Sequence, residues 1–471
     1  MNRKICLAIT CALMFAGCSL SPKLTTSHVE NANISALGLN VDNSNMTIIS
    51  DKWWEEYGDE TLNSLVEEAL KNNKDLEIAL LNISLARSSL AIKEADRYPT
   101  LGVQGGASRT QTSEEAFSSQ GRRTTFNDFS LSAILSYEVD LWGKVSSSNA
   151  AAKADLLSSK ASADGVRLSL ASGVADSYFV LLSLKEQLSL IKQTIKTREE
   201  TFELTKTRFE AGVERESTLA QQESLLSSAK ITKNNIEQQI ATTGSALGIL
   251  LGRDVEGLLA NKNITAEVLP NDISIPNDIP SNILESRPDI EASFQQLVSS
   301  NELIGVARAA YFPSLSLSAL FGLSSYDASN LFRSSARTWN TGATLAAPLI
   351  DFGRTSNSVE IAEISKDIAA LSYEKTVLNA FSEVYNAMTS RMLLEENLKN
   401  AQDYENAIKR TLELVNYQYE AGFVDYLSVL DAQRSLLTAQ LSTIQTHQAL
   451  LSSGVALFKA LGGGWNKSKL N

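Results

Sequence analysis

Cysteine, histidine and long apolar runs are nearly absent from most of this 471-residue chain. All three cysteines (Cys6, Cys11, Cys18) fall within the first 18 residues, which leaves the rest without a thiol for a disulfide or a soft metal. The two histidines, His28 in a polar tail and His447 in a helical stretch, form no cluster for zinc or for acid–base work. Neither a Gly-Lys-Ser/Thr phosphate loop nor a Gly-x-Ser-x-Gly elbow occurs, so no catalytic residue is nominated. A formal charge of −12 argues against a nucleic-acid partner, which favours a basic stripe. Hydrophobic and charged contents of 43% and 20% are those of a folded chain. Beyond the leader, no apolar run approaches the roughly 20 residues of a membrane-spanning helix. If this chain crosses a membrane, it does so as strands of a closed barrel.

The leader has a sign of its own. Arg3 and Lys4 precede the apolar stretch Ile5 to Ala16, and Phe15-Ala16-Gly17 leads into Cys18. This resembles a bacterial lipoprotein signal, with 1–17 removed and Cys18 lipidated; Leu is usual where Phe15 stands. Ser19 after the cysteine suits a lipoprotein destined for the outer membrane. A covalent lipid is then the only prosthetic group expected, with no cofactor and no metal.

The chain is written twice. Arg208-Phe209-Glu210-Ala211-Gly212 recurs as Gln418-Tyr419-Glu420-Ala421-Gly422, Leu141-Trp142-Gly143 as Asp351-Phe352-Gly353, and Leu251-Gly252 as Leu461-Gly462, all at an offset of 210. Tyr98-Pro99 matches Phe312-Pro313 at 214, so the first copy carries four extra residues between its proline and its glycine. Between the copies, Pro270, Pro276, Pro280 and Pro288 mark an irregular linker. The expected organisation is a leader at 1–17, a lipidated tail at 18–50, repeats at 51–263 and 289–464, a linker at 264–288 and a tail at 465–471.

Each copy has the same internal order. A helix comes first, Leu62 through Arg97 in one copy and Asp289 to Ala310 in the other, each ended by a proline. Period-two alternation follows: Phe129, Leu131, Ala133, Leu135, Tyr137 and Val139 against mostly serine, and Leu315, Leu317, Ala319, Phe321 and Leu323 likewise. The predicted hairpins cover about 99–141 and 313–349, four strands in all. Long proline-free stretches come next. Leu181, Leu188, Ile195, Phe202 and Phe209 recur every seven residues, with Leu184 and Ile191 at the complementary position, as in a coiled-coil seam. From Gly143 to Gly212 such a helix extends roughly 100 Å. Gly212 and Gly422 then suit tight helix–helix turns.

Four strands cannot close a barrel, since even the smallest filled barrels need about eight. A dimer supplies eight strands and a trimer twelve, and these arguments permit either.

The residues also carry a family resemblance. Trp53-Trp54 with Gly58-Asp59 and Ala69-Leu70-Lys71-Asn72-Asn73, then Arg287-Pro288-Asp289-Ile290, Ile304 through Ser314, and Tyr419 through Arg434 together resemble the outer-membrane efflux factors, the lipoprotein branch of the TolC family. The resemblance implies a mainly α chain with a membrane β-barrel part, in which a homotrimer forms a twelve-stranded barrel and a helical tunnel. It implies an exit duct in the outer membrane, reaching into the periplasm and partnered by a periplasmic adaptor and an inner-membrane pump. On the same basis Tyr419, Leu427, Asp431 and Arg434 line a closed periplasmic aperture. Thr218 departs from the pattern at the first tip, where an acidic residue is common. The alternatives are an anchored periplasmic adaptor without a pore, which would show one hairpin flanked by small β-domains, and a cell-envelope enzyme, for which no catalytic arrangement is found.

Overall fold

The computed structural model describes residues 20–24, 50–115, 123–253, 268–273 and 287–465. The leader, Cys18, His28 and the last six residues lie outside these. The chain divides into two compact units: residues 1–30, 83–159 and 293–374 form one, and 31–82, 160–292 and 375–471 the other. Each unit takes segments from both copies, so the sequence repeats are not the spatial units.

After a short 3-10 turn at Trp53–Tyr57, helix α1 (Glu60–Asn72) starts at Asp59, whose carboxylate accepts from the amides of Thr61 (2.8 Å) and Leu62 (3.0 Å). The pattern from Leu62 to Arg97 had read as one helix, and here the structure corrects it. Asn73 leaves the helical region at ψ 134, and its side-chain oxygen caps α2 (Lys74–Ala95) by accepting from Leu76 N at 3.0 Å. Its amide nitrogen donates to Leu250 O at 2.9 Å. A short amide side chain has competed with the helical backbone and won.

The first unit is built on a four-stranded antiparallel sheet in the order β1 (Thr100–Gln111), β2 (Thr125–Val139), β3 (Ser314–Ser325), β4 (Arg337–Ala346). Thr100 pairs with Ser136 in the first hairpin, and Ser314 with Ala346 in the second. These pairs are related by the sequence offsets of 214 and 210, so the four extra residues of the first copy lie between β1 and β2. The hairpins join along β2 and β3, where Ala133 faces Phe321 and Leu135 faces Ala319. Beyond β2, Asp140 caps helix α3 (Lys144–Glu210) by accepting from Val145 N (2.9 Å) and Ser146 N (2.8 Å). Trp142 stacks on Phe312 at 4.6 Å and donates from Nε1 to Pro313 O at 2.8 Å, clasping the first copy to the second just past helix α5 (Pro288–Ala309).

The second unit is helical. Helix α4 (Glu216–Leu250) returns after α3, and α6 (Arg354–Glu420) and α7 (Tyr426–Ala460) repeat the pair with the same lengths, 67 and 35 residues. Trp53 stacks on Phe458 at 5.2 Å, and Tyr178, Phe179, Leu62 and Leu182 are fully buried beside them. Each such side chain contributes about 1.5–3 kcal/mol. The seven-residue seam is buried at Leu181, Leu184, Ile191 and Ile195, where Ala229 and Ile236 of α4 meet it. It opens towards its end, leaving Phe209 exposed. By length and composition α3 is also apolar enough to cross a membrane, which the sequence reading had passed over. Half of that apolar window is buried, as in a core helix.

Two cations tie irregular segments to this unit. The Arg391 guanidinium grips Asp272 (3.2 and 2.8 Å) and Ile273 O (2.6 Å), and Arg287 reaches Ala460 O (2.8 Å), Asp289 and Glu383 (both 2.7 Å). The end of α4 is tighter still. Gly252 sits at φ 67, and a Cβ there would clash with the backbone carbonyl of Asn72. Gly252→Ala is expected to lower the thermal midpoint well beyond Gly212→Ala, whose added methyl meets nothing within 4 Å and costs about 1 kcal/mol of left-handed strain. Circular dichroism of the two purified variants, melted side by side, checks the order.

Candidate functional site

The two long helices end in the same hydrogen-bonded reversal. At the end of α3, Gly212 N donates to Phe209 O (2.8 Å) and Val213 N to Arg208 O (3.0 Å). At the end of α6, Gly422 N donates to Tyr419 O (3.0 Å) and Phe423 N to Gln418 O (2.8 Å). Both glycines lie at positive φ, 75 and 79, where a side chain is strained.

At the second tip, Asp425 caps α7 by accepting from the amide (3.2 Å) and hydroxyl (3.0 Å) of Ser428. Tyr419 packs on Tyr426 with ring centroids 5.0 Å apart. Burial is the main cause that raises the Tyr426 phenol above its ordinary pKa. Leu427 is exposed, and one turn further Arg434 Nη2 donates to Asp431 Oδ1 at 2.6 Å. Leu427, Leu430, Asp431 and Arg434 share a shallow groove with Gln221, Ser224 and Leu225 of α4. Thus Leu427, Asp431 and Arg434 stand together, and Tyr419 adjoins them through Tyr426. The Asp431–Arg434 pair is well exposed on both sides and contributes about 0.2–1 kcal/mol.

The first tip has the same backbone and different chemistry. At the offset of 210, Arg215 replaces Asp425, Gln221 replaces Asp431, and Ser224 replaces Arg434. No side chain caps α4, and a cation now stands at its positive end. Gln222 is fully buried. His447 is half-buried along α7, away from this cluster in sequence.

The sheet has two unlike faces. Cross-strand pairs put Leu101, Val103, Leu131, Leu135, Tyr137, Leu315, Leu317, Phe321, Trp339 and Leu345 on one side. Ser130, Ser132, Ser136, Ser316, Ser318, Gly342 and Thr344 are on the other. Ile134 and Leu320, which interrupt the polar side, pair with each other, and Phe126 interrupts it again near the start of β2. An apolar outside and a small polar inside is the pattern of a membrane barrel wall.

Known proteins carry the same features. The family described as outer membrane efflux protein matches residues 65–253 and 279–463, one block for each copy. The chain belongs to this family. It is 32% identical over 470 residues to the probable efflux pump outer membrane protein TtgC of Pseudomonas putida, covering 98% of this chain and 95% of that one. It is 30% identical over 457 residues to the cation efflux system protein CusC of Escherichia coli, covering 97% and 98%. The solved CmeC outer membrane channel of Campylobacter jejuni superposes with a TM-score of 0.90 at 33% identity, covering 96% of each chain. This efflux protein is therefore an outer-membrane channel chain with the TolC-like fold, and nothing favours the adaptor alternative.

Three features of the channel chain escaped the sequence reading. The Trp142–Phe312 clasp was visible only as two repeat anchors. The Arg391–Asp272 pair joins positions too far apart in sequence to be matched by pattern. The third is a docked tail. Ser21 Oγ donates to Glu302 (2.8 Å), Asn301 donates to Pro22 O (2.8 Å), and a Cβ at Gly305 would come within 2.3 Å of Ser21 Oγ. Gly305 gave a signal, standing inside the diagnostic block at Ile304–Ser314, but its partner did not.

The capping difference between the tips is measurable. Asp425→Ala removes the side-chain cap at the start of α7 and is expected to cost about 1 kcal/mol locally. Amide hydrogen exchange over Tyr426–Val429 should quicken about fivefold, while the start of α4, already uncapped, stays unchanged.

Proposed function

We propose that three copies of this chain form a passive exit duct, with a twelve-stranded barrel in the outer membrane and a helical tunnel shut at its periplasmic tip by Tyr419, Leu427, Asp431 and Arg434. The observation that carries this reading is the sheet: four strands, one apolar face, and two outer strands with no further partner among the described residues. In lipid each unpaired backbone group costs several kcal/mol, so the edges must close on further copies. The printed names of TtgC and CusC, an efflux pump outer membrane protein and a cation efflux system protein, favour the same kind of assembly here, with an inner-membrane pump and a periplasmic adaptor as partners. The duct performs no reaction of its own and needs no cofactor.

Three Asp431 carboxylates around a symmetry axis form a ring that favours cations and repels itself. Arg434 holds each carboxylate through an exposed and therefore weak contact. A gate of weak pairs is one that a docking adaptor can open with modest binding energy. Lipid on Cys18 adds a second anchor, since one acyl chain alone binds a bilayer only marginally. The docked Ser21 and Pro22 support this reading, because they hold the start of the mature chain against α5 in the same unit as the strands. Cys18→Ser should abolish incorporation of labelled palmitate while leaving the channel able to insert.

Planar-bilayer conductance of the detergent-extracted protein, with its mass measured in the same detergent, tests the duct. Small, discrete, cation-favouring steps from a trimer are expected. Asp431→Ala, alone or with Arg434→Ala, should raise the closed-state conductance severalfold and admit large antibiotics. A monomer or dimer without steps overturns the duct, whereas unchanged conductance in the variants overturns only the gate.

A further inference from the structure

Four charged side chains lie in the strands, and the sheet sorts them by sign. Arg109 of β1 and Arg337 of β4 stand on the apolar face, which carries no carboxylate. Asp128 and Glu138 of β2 stand on the polar face, which carries no cation. Both carboxylates have partners: Asp128 accepts from Ser324 Oγ at 3.1 Å, and Glu138 meets Lys144 at 3.0 Å. Arg109 and Arg337 are exposed, and among the described residues no carboxylate lies within 4.0 Å of either. By contrast Arg123, just before β2, has Glu114 at 3.6 Å.

The two arginines also share a place. Going away from the helices, the apolar face gives out strand by strand: Ala107 is followed by Arg109, Phe129 by Asn127, Leu323 by Ser325 and Trp339 by Arg337. On the helix side of that line, Thr341 and the Tyr137 hydroxyl are the polar exceptions. By the register, the line is level on β1 and β2, then two residues nearer the helices on β3 and two more on β4. A horizontal line drifts in this way across tilted strands. Phe129 and Val139, the ends of the run on β2, are ten residues apart. That is about 34 Å along the strand and about 25 Å in height at the usual tilt, the height of a membrane barrel's apolar band. The arginines therefore stand where hydrocarbon meets headgroups, at the end remote from the helices. Since the helices extend into the periplasm, that end is the outer leaflet.

We infer that Arg109 and Arg337 form a docking rim for a phosphorylated glycolipid of the outer leaflet, each guanidinium holding a headgroup phosphate while the acyl chains lie on the apolar face. The inference rests on the barrel reading above and adds to it the lipid that surrounds the wall. Charge selects the occupant. Two unpaired cations on a face without acid call for an anion, and phosphate is the anion that a lipid headgroup fixes at this depth. Arginine suits the task, because its planar fork takes two phosphate oxygens at once and its stem lies along apolar surface with the head in the polar layer. Trp339, 72% exposed and next to Arg337 on the same face, sets an amphipathic ring at the same boundary. The acids of β2 stand on the opposite face, where the sheet separates them from the phosphates. A zwitterionic headgroup brings its own cation and gains less from the rim.

The test uses the full chain purified in detergent and offered lipid A, a glycolipid with two phosphates, or the same glycolipid with both phosphates removed. Native mass spectrometry counts the glycolipid retained and gives the mass of the assembly. Wild-type trimers should retain the phosphorylated form at least about fivefold better, since each arginine–phosphate contact is a charge-assisted bond. Arg109→Gln with Arg337→Gln should lose that preference. Arg123→Gln with Lys144→Gln, which removes the same charge from residues already paired with carboxylates, should keep it. Equal retention of the two forms by the wild-type trimer, an unchanged rim variant, or an equal loss in the control overturns the rim and leaves the duct standing. A monomeric mass for the wild type overturns the barrel and the rim with it. The wild-type comparison needs no substitution, so a rim variant that fails to assemble does not shield the inference.

Discussion

Every feature of the sheet answers one constraint: a backbone amide or carbonyl placed in hydrocarbon must find its partner within the protein. The internal pairings of β1 to β4 satisfy that demand on three seams and leave it open on two edges. An outer strand of twelve residues and another of ten are too long to remain bare. Alternation of leucine and aromatic residues with serine and glycine then fixes which face meets lipid. A slip by one residue would turn every serine outward. Closure and face selection are therefore set together, by hydrogen bonds on one axis and side-chain period on the other.

Duplication makes such closure cheap in sequence terms. One hairpin design, repeated, supplies its own neighbour, and the two hairpins keep one register. Where the copies keep the same residues they serve this common geometry: the tip glycines, the helix lengths of 67 and 35, and the reversals at Gly252 and Gly462. Where they differ, the demand differs. Trp142 finds Phe312 within its own chain and donates a hydrogen bond to Pro313 O, whereas Phe352 carries no ring N–H to donate and stands exposed.

Much of this was legible from the residues, for definite reasons. Period-two alternation at Phe129–Val139 and the glycines at 212 and 422 encode local geometry, so strands and turns could be placed without knowing the fold. The break at Asn73 could not, because it depends on Leu250 accepting from an amide 177 residues away. For the same reason the Arg391–Asp272 bridge and the seat of Ser21 beside Gly305 were invisible: nothing in one-dimensional spacing pairs them. The tip residues occupy a middle position. The i,i+3 spacing of Asp431 and Arg434 predicts the contact that is observed, but their standing at an aperture came from the resemblance and not from the pattern.

The divergence of the two tips has a further consequence for how such a gate works. With Gln221 and Ser224 where the second tip has Asp431 and Arg434, this ion pair is confined to alternate hairpins around any closed ring. Six charged pairs would set carboxylates at half the angular spacing, and the repulsion between them rises as the distance falls. Three pairs keep each carboxylate next to its own Arg434 and farther from the others. In the proposed duct the closed tip is then held by contacts of about 0.2–1 kcal/mol each, within reach of the binding energy of one partner protein. A gate meant to open on docking has to be weak, and leaving half the hairpins without this pair is one way to keep it so.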